Sequence, residues 1–356
     1  MKKTLLMMAV AAGAMLTGCV KNETANGGAV SGSKISFEAP AVTGITRAVP
    51  GEISKYDTRE NFSVYAHYYA GGTYTTFADG QSFIDNEKTA YNGVDSWNTE
   101  SVEGGQIYYW PKEGSLTFGA YSPSDAATHC TVDWGATGIT FTNFEVRTNP
   151  AEHYDLMFSE RSYNRVQSTG GQAYSGVDIN FKHALSSVVF KLKLAEPYDG
   201  HTITVKSIKL QNAYTKGNFD QQLADENNAL TTTAAAWEDQ NTEYAEGYEA
   251  VTAAAGEVVA STDATLLTNP NPIIVLPQQL AHDPNHVQIV VAYTIHNGTL
   301  EAPYEDTIDI TDPGYNLTEF EIGKRYTFTL IFGLDKITFS PEVDPWEDVS
   351  GIDIEL

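Results

Sequence analysis

The chain has 356 residues, a formal net charge of -25 at pH 7 and only two cysteines. Residues 1 to 47 carry Lys2, Lys3, Lys21, Lys34 and Arg47 against Glu23 and Glu38, a net of +3 that leaves -28 for everything beyond Arg47. Such a surface repels phosphate backbones and anionic headgroups, which argues against nucleic-acid partners and against electrostatic attachment to a membrane.

The first residues set the compartment. Lys2 and Lys3 are followed by an apolar run from Leu5 to Met15 and then by Leu16, Thr17, Gly18 and Cys19. This pattern is a bacterial signal peptide, residues 1–18, ending in a lipobox. The run is about half the ~20 residues needed to span a bilayer, so it predicts export and lipidation at Cys19, an anchor in place of a span. With Cys19 acylated, Cys130 has no disulfide partner, and stability must come from burial. Val20 to about Ser33 is small, polar and glycine-containing, the composition of a tether.

Beyond the tether the apolar residues recur with period two. Phe62, Val64, Ala66 and Tyr68 form one such segment; Leu116, Phe118 and Ala120 another; Val188, Phe190, Leu192 and Leu194 a third. Further segments are centred on Val205, Val291, Phe328 and Phe339. Each reads as a half-buried strand, and the Gly, Asn, Asp and Pro clusters between them read as turns. In residues 202–210, Ile203 and Val205 are out of phase with Ile208 and Leu210, which predicts a β-bulge near Lys206 and Ser207. Asn297-Gly298 is a two-residue hairpin signal. The Ala-rich tract Thr231 to Ala255 reads as a loop insertion with room for a short helix.

The fold class expected is therefore all-β, built of antiparallel sandwiches. The most polar break, Asn164 to Gly176, separates an N-terminal sandwich (48–170) from a C-terminal one (171–356), with 19–47 as lipidated tether and first strand.

The search for chemistry is mostly negative. There is no phosphate loop, dinucleotide fingerprint, nucleophile elbow or HExxH zinc motif. His282 and His286 have helical i, i+4 spacing, but Asp283, Pro284 and Asn285 between them favour a turn over a metal site. His129-Cys130 with Asp133 reads as a small buried thiol, and His183 as a polar residue at a strand entrance. Trp97 and Tyr108-Tyr109-Trp110 could stack on sugars, but core packing is the favoured role. No catalytic residue, metal or cofactor is expected.

Several stretches together resemble the fimbrillin family, the pilus subunits of Bacteroidales. They are Ile35-Ser36-Phe37 followed by Ile45-Thr46-Arg47-Ala48, Asp155 to Phe158, Ile179 to Phe190, Val205 to Leu210, Val275 to Gln278, Gly323 to Tyr326, and Ile337 to Phe339 with Trp346. The resemblance implies two transthyretin-like β-sandwich domains in tandem. It also implies an extracellular cut between Arg47 and Ala48 that removes a first strand containing Ile35 and Phe37, and polymerisation by strand exchange with other pilus subunits.

On their own terms, Ile352, Ile354 and Leu356 alternate with acidic residues after Gly351 and are a candidate donor strand; pairing inside their own C-terminal sandwich is the equal alternative. The function expected is a structural pilus subunit or tip adhesin. It would sit at the outer membrane as a lipoprotein, join the fimbrium after processing, and offer a surface for a host or bacterial ligand. The alternative is a monomeric carbohydrate-binding surface lipoprotein, and a hydrolase with paired carboxylates ranks below both.

Overall fold

The computed structural model describes residues 33–38, 40–42, 54–56, 59–167, 176–223, 235–241, 247–250, 256–267, 272–281, 286–334 and 337–345. Cys19, Arg47, Ala48, His282, Ile352, Ile354 and Leu356 lie outside the described residues.

The fold is all-β, as the alternation predicts. In the C-terminal half, Ser186–Leu194 runs parallel to Lys324–Phe332, in register from Ser187 opposite Arg325 to Leu194 opposite Phe332. Side chains two apart share a face, so Val188, Phe190 and Leu192 lie beside Tyr326, Phe328 and Leu330, all buried. Ile337–Pro345 then pairs antiparallel with Lys324–Phe332 and ends that sheet. The facing sheet pairs His201–Gln211 with Gln288–Asn297 and then Leu300–Asp309. Tyr293 and Phe332, with ring centroids 5.5 Å apart, join the two layers.

The bulge is where the phase change puts it: Val205 is opposite Tyr293, but Ser207 is opposite Ala292. That one extra residue keeps Ile203, Val205, Ile208 and Leu210 all buried. The hairpin is present too, one residue later than its signal: Asn297 pairs with Leu300, and Gly298, at φ 62°, begins the two-residue loop. Glycine reaches that left-handed conformation without a steric penalty.

In the N-terminal half, a large sheet contains Phe62–Tyr69, Gln81–Tyr91, Ser115–Ser122, Met157–Ser159 and Asn180–His183. A second sheet pairs Thr131–Gly135, Gly138–Glu145, Lys216–Asp220 and Ala236–Asn241. Strand pairing thus crosses the polar stretch at 164–176 twice, through Asn180–His183 and through Lys216–Asp220.

One expectation needs correction. Part of the Ala-rich tract is a strand: Ala236–Asn241 pairs with Lys216–Asp220, and Trp237 Nε1 donates to Ala184 O at 2.6 Å. The ladder and the buried indole override alanine's helical preference. His183 stands at the end of the strand Asn180–His183; it is 1 % exposed, and its Nδ1 lies 2.6 Å from Asp155 Oδ2.

Candidate functional site

The site is the place where residues 33–38 and 40–42 lie. Ile35 and Phe37 point inward and are 5 % and 1 % exposed, whereas Lys34 is exposed. Period two is what an extended segment over a core dictates. The Phe37 ring meets Phe62 and Phe118 edge-on, with centroids 5.6 and 5.8 Å away. Pro40 and Val42 are buried beyond them.

Both flanks of the segment are hydrogen-bonded. On one side Ile35 N donates to Tyr108 O (2.9 Å), Phe37 N to Trp97 O (2.8 Å), and Trp97 N and Trp110 N donate back to Phe37 O and Ser33 O (3.0 and 3.1 Å). On the other, Val177 N donates to Ser36 O (2.8 Å), Glu38 N to Val177 O (3.0 Å) and Ala41 N to Ile179 O (3.1 Å). Ala41–Val42 continues parallel to Asn180 and Phe181 and pairs outward with Ser54–Lys55. At the exposed end Lys34 Nζ sits 2.7 Å from Glu100 Oε2, and that hydrogen bond raises the ammonium's pKa.

These two flanks are the two ends of one sheet. From Asn180–His183 the ladder runs through Met157–Ser159, Ser115–Ser122, Phe62–Tyr69 and Gln81–Tyr91 to Trp97–Asn98. Phe37 pairs with both Trp97 and Val177, so residues 33–38 and 40–42 are the stave that joins the two ends of the sheet. With the stave in place neither Trp97 nor Val177–Phe181 is left as a bare edge; withdrawing it uncovers both, with unpaired backbone groups on each. It also uncovers the seats of Ile35, Phe37 and Val42, each worth about 1.5–3 kcal/mol of burial. The arrangement can do one thing chemically: hold an extended chain, and hold another in its place if the first is removed.

Gly176 shows how close the fit is. At φ 119° it has a conformation that side chains rarely adopt, and a Cβ there would stand 2.7 Å from Glu38 N and 2.8 Å from Phe37 C.

The remaining sequence candidates stay apart. Trp97, Tyr108 and Trp110 are buried in the walls, so they pack and do not form an exposed sugar platform. Cys130 donates to Ala126 O at 3.4 Å, and burial pushes its thiol up to about 12, the opposite of an activated nucleophile. The neighbouring His129 ring meets Arg147 Nη2 instead. His286 Nε2 lies 3.6 Å from Asp309 Oδ1, and among the described residues no group of three or more His, Cys, Asp or Glu converges as a metal site.

Sequence reading does not single out Tyr56, which sits 4 % exposed against Trp97 and Phe181 at the far end of the stave. A lone tyrosine between Lys55 and Asp57 gives no periodic signal. It also misses Arg161, whose buried guanidinium donates to Tyr74 Oη (2.8 Å) and Ala136 O (2.9 Å) and lies over the Phe77 ring.

The model of the fimbrillin-like family matches residues 46–346. The chain belongs to the fimbrillin-like family. This fimbrillin-like chain shares the fold of a fimbrial protein from Bacteroides vulgatus, with a TM-score of 0.62 at 16 % identity over 88 % of this chain and 100 % of that one. It also aligns with the tip fimbrial protein Mfa3 of Porphyromonas gingivalis, at a TM-score of 0.36 and 9 % identity, over 81 % of this chain and 94 % of that one. No curated protein matches it.

Proposed function

We propose that the protein is a structural pilus subunit or tip adhesin that polymerises by exchanging its closing strand. It is exported by the signal peptide 1–18, lipidated at Cys19 and anchored in the outer membrane. An external protease hydrolyses the Arg47–Ala48 bond, consuming one water, and the piece carrying Ile35 and Phe37 departs. An extended strand of another subunit then fills the opened sheet, with Ile352, Ile354 and Leu356 of a neighbouring copy as the candidate donor. The tandem division at 48–170 and 171–356 belongs to this reading, with Asn180–His183 and Lys216–Asp220 lent to the first sandwich by the second stretch of sequence.

The observation that carries it is the stave itself: one segment, bonded on both flanks, joins the two ends of a sheet and precedes an arginine. No catalysis is part of the reading, since the family and its structural relative are fimbrial.

The test is the N-terminus on the native cell surface, by intact mass and terminal sequencing. A chain beginning at Ala48 is expected; one beginning at acylated Cys19 overturns the processing step. Deleting Gly351 to Leu356 tests the donor separately: polymer that still forms removes that role from the tail.

A further inference from the structure

The stave has two halves with different outer walls. Along residues 33–38 the outer wall is Trp97 and Tyr108 to Trp110. From Pro40 onward it is the short strand Ser54–Lys55: Lys55 lies opposite Ala41, Ser54 opposite Val42, and Tyr56 N donates to Pro40 O at 3.1 Å. In the ladder of strands, Ser54–Lys55 is joined to the rest of the sheet through Ala41–Val42. A two-residue strand held in that way would be set loose when its neighbour leaves, unless something else fixes it.

The Tyr56 side chain supplies a fixing point on strands other than the stave. Its hydroxyl is 2.6 Å from Ser122 Oγ, on the strand Ser115–Ser122 that stays in the sheet. Its ring packs against Phe181 (5.4 Å), Phe62 (6.0 Å) and Trp97 (6.1 Å), all parts of the walls. We infer that Tyr56 pins Ser54–Lys55 as a standing second wall, so that the site takes an extended protein segment about ten residues long, gripped on both flanks along its whole length.

This rests on the strand-exchange reading and narrows the partner it admits. The incoming segment runs parallel to Val177–Phe181. It places large apolar residues at the Ile35 and Phe37 seats and a further apolar residue at the Val42 seat, five positions on. A segment matching only the Ile35 and Phe37 seats occupies half the site and forfeits the outer contacts.

The probes are two labelled peptides with the protein's own sequence, Ser33 to Val42 and Ser33 to Glu38. They are titrated against full-length protein that carries a site-specific protease sequence in place of residues 44–48, cleaved and freed of its N-terminal piece. In the parent protein the long peptide is expected to bind at least ~10-fold more tightly, the value of one buried valine and its flanking bonds. Tyr56→Ala should erase most of that advantage, weakening the long peptide several-fold more than the short one; Tyr56→Phe, which keeps the ring, should retain most of it. Equal binding of the two peptides to the parent overturns the inference, as does a Tyr56→Ala that weakens both alike, since that is a general core defect. If neither peptide binds, the vacated site itself does not exist and the strand-exchange reading falls as well.

Discussion

The large N-terminal sheet and the sheet centred on Gln288–Asn297 deal with their edges differently. In the first, the ends meet across residues 33–38 and 40–42, a segment joined to the body through a sequence that contains Arg47. In the second, the terminal strand Leu300–Asp309 carries Pro303, which has no N–H to offer, and Glu301, Glu305 and Asp306. The strand Ile337–Pro345, at the end of the facing sheet, carries Pro341, Glu342 and Asp344. Proline and charge blunt an edge permanently, whereas a covering strand blunts it only while it is there. On the strand-exchange reading proposed above, the covered edge is the one that opens.

The harshest way to break the contrast is Phe37→Ala. Its ring is 1 % exposed between Phe62 and Phe118, so the substitution should cost about 3–5 kcal/mol. Denaturant unfolding followed by tryptophan fluorescence, with Trp97 and Trp110 as neighbours, should show it; a loss below ~1 kcal/mol would mean that the stave does not hold the sheet together.

Acid should act next, at the contact between the halves. His153 Nδ1 accepts from Ile274 N at 3.0 Å and Nε2 lies 2.6 Å from Arg147 O, an arrangement satisfied by the neutral ring. Burial lowers its pKa to about 4. Because the folded value lies below the unfolded one, this contribution is fully present above about pH 6.5. It is lost as pH falls from there towards 4, a decline on the order of 3 kcal/mol. His153→Gln should flatten that part of the stability profile in urea titrations at pH 7, 5.5 and 4.5.

Gly176→Ala is the mildest and the most discriminating. The close approach to Glu38 and the left-handed backbone together should cost about 1–3 kcal/mol in the intact chain. After cleavage and removal of the N-terminal piece, only the backbone share should persist, and comparing the two melting curves separates them.

Much of this was legible before any coordinates. Strand positions followed from period two, and the bulge at Val205 and Ser207 from a phase change that no regular strand could absorb. Ile35 and Phe37 entered only through the family resemblance, which implies a first strand there. What could not be read is which distant segments flank them, because the pairing of residue 35 with 108 and of residue 37 with 177 is set by the assembled sheet and leaves no local mark. The Ala236–Asn241 strand was hidden for the same reason: its partner and the seat of Trp237 lie outside any sequence window. Arg161 was hidden by its charge, since a cation is expected outside until its donors and ring partners are known.

The Cys130 thiol has a practical consequence. Burial pushes its pKa up to about 12, so little of it is thiolate at neutral pH and an alkylating reagent should react slowly with the folded chain. Its labelling rate therefore reports loss of the burial around Cys130, between Ser124–Thr128 and Thr131–Gly135, without any introduced probe.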